Sequence, residues 1–225
     1  MSHNIGEKGT VMIEIQNLTK VFQEQTVLQN INATFDAGLI HGVIGKNGAG
    51  KTVLLRLLCG LMHPSKGQVI VDGKQLGKDV DFAPDAGIII ETPFFLPYLS
   101  GFQNLKELAS IRNIISKEEI AEAMEQVKLD PSSRKHVGKY SLGMRQRLGI
   151  AQAIMERPRY LILDEPMNGL DTQGMEDVRE LLQKQKETGV TVILASHSME
   201  DIRLLCDTVH RIQDASLIPC TTEFS

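Results

Sequence analysis

The stretch Gly45-Lys46-Asn47-Gly48-Ala49-Gly50-Lys51-Thr52 has the spacing G-x-x-x-x-G-K-[ST] of a phosphate-cradling P-loop. Its flanks decide how the chain folds around it. Leu39-Ile40-His41-Gly42-Val43-Ile44 reads as a short buried strand, and Val53-Leu54-Leu55-Arg56-Leu57-Leu58 reads as the start of a helix. A strand that turns through glycines into a helix brings backbone N–H groups together on an anion. The motif therefore predicts that Gly45, Asn47, Gly48, Ala49, Gly50, Lys51 and Thr52 hold a nucleoside triphosphate. The amides and Lys51 would meet the β- and γ-phosphates, and the Thr52 hydroxyl would ligate Mg²⁺.

Working outward, Val11 to Ile15, Thr19 to Phe22 and Val27 to Phe35 read as strands with a turn near residues 23–25, an antiparallel flap leading into the P-loop strand. Gln68 to Gly73 reads as a strand entering a tight turn, and Gly87 to Glu91 as a second buried strand. From Thr92 to about Arg157 the character becomes helical, and Ser116 with Glu119 forms a capping box at one helix start. Strands return at Tyr160 to Glu165 and Val190 to Ser196, separated by a helical stretch from Gly174 to Glu187. The alternation implies an α/β fold: a RecA-like P-loop NTPase core with a mainly parallel sheet, an antiparallel N-terminal β subdomain and a helical insert. In residue terms this is one domain over 1–225, with 1–91 and 158–225 as core and 92–157 as the helical subdomain. Residues 211–225 carry no recognisable regulatory motif and read as a short tail.

Bulk composition narrows the function classes. A net charge of -4, with no basic stripe, argues against nucleic acid as the partner. Cys59, Cys206 and Cys220 are odd in number and widely spaced, which suits neither a disulfide framework nor a zinc site and points to a reducing compartment. The first ten residues lack the apolar core of a signal peptide, and no apolar run approaches the roughly 18 residues of a membrane span.

Asp164 ends an apolar strand expected beside the P-loop strand, where its carboxylate would hold Mg²⁺ through water. Glu165, one residue on at the turn, would reach the γ-phosphate and polarise an attacking water. Ser141 stands where a helix N-cap belongs, and Gly143 keeps the next amides open, so that helix end suits an anion.

Tyr140-Ser141-Leu142-Gly143-Met144-Arg145-Gln146-Arg147, then Asp164-Glu165-Pro166, Asn168-Gly169-Leu170-Asp171 and Ser196-His197, together with the P-loop, resemble the nucleotide-binding subunit of ABC transporters over residues 13–212. The resemblance implies an ATPase that binds ATP and Mg²⁺, with Glu165 as base and His197 as γ-phosphate sensor. It implies that Ser141 and Gly143 act on ATP held by a second copy, so that two chains close head to tail, with Asp171 touching the opposite chain. Phe22 falls where the family places an adenine-stacking aromatic. Integral membrane permease subunits would be the partners, placing the protein on the cytoplasmic face of the membrane, and the apolar loop Phe94 to Leu99 would make the contact.

Two positions depart from the family pattern. Glu91 stands where the family has a glutamine that touches Mg²⁺ and the water, and Leu142 and Met144 replace a glycine and a glutamine in the signature. With Glu91-Thr92-Pro93, these features resemble the subgroup that exports peptide antibiotics or gives immunity to them, as in bacitracin and lantibiotic systems. Two other classes share part of this pattern: an ABC-type ATPase acting on translation or DNA without a membrane partner, and a P-loop kinase or GTPase. The first commonly carries tandem cassettes or a coiled coil, and the second leaves the Ser141 region unexplained. The remaining histidines, His41, His63, His136 and His210, read as structural.

Overall fold

The computed structural model describes residues 13–91 and 93–220. Val11 and Met12 of the first expected strand, Thr92, the leading segment and residues 221–225 lie outside them. Two sheets carry the architecture. The first is antiparallel, with strands in the order β2 (Gln25–Phe35), β1 (Ile13–Phe22), β4 (Lys66–Val71) and β5 (Lys74–Gln75). The two strand segments expected before residue 23 are one strand, bent at a bulge where Asn17 takes φ 48°. Asparagine tolerates that left-handed conformation, and its Nα–H is met by Asn32 Oδ1. The bulge resets the alternation so that Ile13, Ile15 and then Leu18 all point inward. Gly67 lies so close beneath it that a Cβ would stand 2.3 Å from the Asn17 carbonyl.

The second sheet has the order β10 (Ser216–Cys220), β9 (Thr208–Gln213), β3 (Ile40–Ile44), β8 (Thr191–Ala195), β7 (Tyr160–Asp164) and β6 (Ala86–Ile89). All pairings are parallel except that of β10 with β9. Two expectations are corrected here. The Asp164 strand is not beside the P-loop strand, because β8 lies between β3 and β7. The stretch from Arg211 is no tail: through residue 220 it forms the end of β9, a left-handed turn at Asp214 and Ala215, and β10. The Ala215 carbonyl accepts from Gln29 Nα of β2, which ties the two sheets together.

Helix α1 (Lys51–Leu58) lies between the sheets, and its apolar residues Leu54, Leu55, Leu57 and Leu58 are all buried while Arg56 reaches its edge. It packs with Ile13, Leu28, Ile162 and Ile193 in one core. The opposite face of the parallel sheet, through Leu161, Leu163, Val192 and Leu194, packs against α2 (Gly101–Arg112), α3 (Lys117–Gln126), α4 (Leu142–Ile154) and α5 (Thr172–Glu187). Strand alternation thus feeds two cores from one sheet. The capping box at Ser116 and Glu119 is present with both hydrogen bonds, and Ser100 and Gln103 form a second at the start of α2. Short α6 (Met199–Leu205) precedes β9.

Candidate nucleotide site

The carboxyl ends of β3, β8, β7 and β6 meet along one edge of the parallel sheet, and each delivers a candidate residue there. From β3 the chain enters the P-loop, where Gly48 and Gly50 take φ of 77° and 105°. Such positive values suit glycine alone without strain. Ala49 Nα donates to the Lys46 carbonyl, closing the turn. Lys51 is buried at the head of α1, and its Nζ donates to the Gly45 carbonyl at 2.9 Å. Gly45 to Ala49, with Ser196, His197 and Arg211 to Asp214, line a cavity of about 670 Å³. Arg211 to Asp214 were missed by sequence reasoning, because no motif marks β9 as the neighbour of β3.

Although β8 separates the two strands, Thr52 in the first turn of α1 still reaches Asp164 at the end of β7. Its Oγ1 donates to Asp164 Oδ2 at 2.5 Å. A hydroxyl and a carboxylate oxygen brought together are hard oxygen donors of the kind that would hold Mg²⁺. Glu165 follows with φ 50°, a left-handed turn that swings its side chain out of the strand alternation. Its Oε2 meets His197 Nδ1 at 2.8 Å. That contact brings together two residues 32 positions apart at the ends of β7 and β8. Asp164, Glu165, Glu91, Gln146 and Asn168 line a smaller cavity of about 190 Å³.

Glu91 lies just past β6, at φ 64°, and its carboxylate accepts from Arg56 of α1 at 2.5 Å. The structure thus pairs it with a guanidinium at the rim of the carboxylate cluster. Phe22 ends β1, partly exposed, with the Lys20 ammonium 4.9 Å from its ring centre. It is not part of the P-loop cavity's lining.

Ser141 is the N-cap of α4, and its Oγ accepts from Met144 Nα at 3.1 Å. Gly143 packs so tightly on the following loop that a Cβ would lie 2.9 Å from the Gly169 carbonyl. Neither residue lines the P-loop cavity of its own chain. Asp171 caps α5 through Gly174 Nα at 2.8 Å.

The ABC transporter family matches residues 28–168, more than half of the chain, a span that holds the phosphate loop, the capped signature helix and the acidic strand end. The chain belongs to the ABC transporter family. It is similar to an ABC transporter ATP-binding protein of Bacillus subtilis, 47% identical over 87% of this chain and 90% of that protein. It is also similar to the bacitracin transport ATP-binding protein of Enterococcus faecalis, 41% identical over 92% of this chain and 68% of that protein. Among solved structures, a dimeric ATP-binding cassette in a post-hydrolysis state bound to ADP and phosphate shares the fold, with a TM-score of 0.81 over 91% of this chain and 96% of that one, at 20% identity. The protein is thus an ABC ATP-binding subunit and an ATPase, and the kinase and GTPase readings are set aside. Among the described residues, no helix is long and apolar enough to cross a membrane.

Proposed function

We propose that two copies of this ABC ATPase close head to tail over two ATP molecules and drive separate integral membrane permease subunits from the cytoplasmic face. The observation that carries the dimer is the position of Ser141: it caps α4 at an exposed helix end, yet lies outside the P-loop cavity of its own chain. A second chain brings that helix end to the γ-phosphate. Each composite site then has Gly45 to Thr52, Asp164, Glu165 and His197 from one chain and Ser141 and Gly143 from the other. The dimeric state of the structural neighbour is consistent with this. The division into a core over 1–91 and 158–225 and a helical subdomain over 92–157 that presents the signature is part of this reading.

Mg²⁺, held by Thr52 and through water by Asp164, would neutralise charge on the phosphates. Glu165 takes a proton from the attacking water, and its carboxylate is aimed by the His197 contact of 2.8 Å. His197 also lines the P-loop cavity, so one ring joins the base to the γ-phosphate region. Lys51 moves from the Gly45 carbonyl to a phosphate oxygen, exchanging a neutral acceptor for a charged one. Glu91 stands at the metal edge, where a carboxylate binds a cation by charge and an amide only by its dipole. Phe22 would stack on adenine through its ring face.

The permease contact is read from the loop after β6. Phe94 is 88% and Tyr98 63% exposed, and neither packs against a core. Phe95, between them, is buried in the helical core, whereas Leu96 is exposed like Phe94 and Tyr98, so the expected apolar cluster is divided between surface and core. Similarity to a bacitracin transport protein supports export of a peptide antibiotic, or immunity to one, as the task. In cells lacking this subunit the inhibitory concentration of bacitracin should fall several-fold; an unchanged value would remove that cargo class.

A further inference from the structure

Gln146 lies in the second turn of α4, with its side chain buried. Its Nε2 donates to the Pro166 carbonyl at 3.0 Å, and the side chain borders the small cavity that holds Asp164 and Glu165. Pro166 directly follows Glu165, whose φ of 50° is a conformation that a residue with a Cβ keeps only when its surroundings impose it. The other holds on this turn come from the sheet side or from within: Glu165 Nα donates to the Ala195 carbonyl at 2.9 Å, and Asn168 Nα donates to the Glu165 carbonyl at 3.1 Å. Gln146 is the hold from α4, the helix capped by Ser141. We infer that Gln146 is a positioning residue for Glu165, fixing through Pro166 the turn that carries the base. The inference rests on the reading of Glu165 as the base. It also gives the signature helix a mechanical link to the catalytic carboxylate of its own chain: a shift of α4 on engaging a second chain's nucleotide moves the Pro166 carbonyl, and Glu165 with it.

Gln146→Leu tests this, because it keeps the volume and loses the donor. The expected result for Gln146→Leu is a fall in kcat of about ten- to a hundredfold, as for a misplaced catalytic group, with KM for ATP unchanged and an unchanged melting temperature as the check on folding. In the Glu165→Gln background the same substitution should add no further loss, because the group it positions is already gone. A parental kcat for Gln146→Leu, or a full additional loss in the Glu165→Gln background, would overturn the inference. If Glu165→Gln alone hydrolyses ATP at the parental rate, the base assignment itself fails, and the two failures are told apart by that single variant.

Discussion

Lys51 donates to the Gly45 carbonyl at 2.9 Å, so its ammonium is already gathered into the loop that would hold the phosphates. Exchange of that contact for a charged oxygen is worth about 1.5–3 kcal/mol, and Lys51→Ala should weaken ATP binding by about two orders of magnitude. Equilibrium binding of a fluorescent ATP analogue measures this, and an unchanged affinity would remove Lys51 from the site. Glu91 makes a subtler case. Its pair with Arg56 is largely exposed, and such pairs contribute about 0–1 kcal/mol. Glu91→Gln should leave the melting temperature in place while shifting the Mg²⁺ concentration that gives half-maximal hydrolysis. Unaltered Mg²⁺ dependence would show that this carboxylate does not sense the metal. At this scale the candidate residues could be named from the sequence, because P-loop chemistry demands fixed residue types at fixed spacing. Arg56 as the partner of Glu91 could not, since 35 residues separate them and only the packing of α1 against the end of β6 joins them.

The elements were legible where local chemistry sets them. The reciprocal hydrogen bonds of Ser116 and Glu119 start α3 as their three-residue spacing requires. Ser116→Ala should cost about 1 kcal/mol, read as a fall of about 2–4 °C in Tm. The equivalent pair at Ser100 and Gln103 escaped notice because the apolar loop before it masks the helix start. Strand order was not legible at all. Nothing in Tyr160 to Asp164 or Thr191 to Ala195 says which of the two lies against β3, because both are fully buried and both read as continuous apolar runs. The seam between β3 and β9 carries a consequence for pH. His41 of β3 bonds Thr208 Oγ1 and the Asp36 carbonyl, and the Phe35 ring edges both His41 and His210. Burial pushes both imidazoles below the ordinary value of 6.5; nearby Asp36 and Asp207 partly oppose this for His41, whereas His41 itself adds to it for His210. A base with a lowered folded pKa binds fewer protons folded than unfolded, so this stability is intact above about pH 6.5 and is lost as pH falls through that value towards the folded one. Urea midpoints at pH 7.5 and 5.5 should therefore differ, and His210→Leu should narrow the gap. An equal gap in the variant would contradict the assignment.

At the scale of the whole molecule, one parallel sheet supports two faces with separate duties. Its α1 side holds the nucleotide loop, and its other side carries the helices that present Ser141 and the exposed Phe94 and Tyr98. Phe94→Asp should leave basal ATPase unchanged while abolishing co-purification with the permease subunits, whereas Phe95→Asp places a charge in the core and should lower stability by several kcal/mol. Retained permease binding in Phe94→Asp would move the contact elsewhere. The proposed second copy is implied in the sequence only by the family pattern, since no stretch of it says where Ser141 stands relative to Lys51. The central claim is the composite site, and Glu165→Gln examines it most directly. Size-exclusion chromatography with light scattering, with and without Mg-ATP, should show a monomer that becomes a stable dimer only with the nucleotide, with hydrolysis reduced by about 10²–10⁴-fold. A variant that stays monomeric while binding ATP, or that hydrolyses it at the parental rate, would contradict the account.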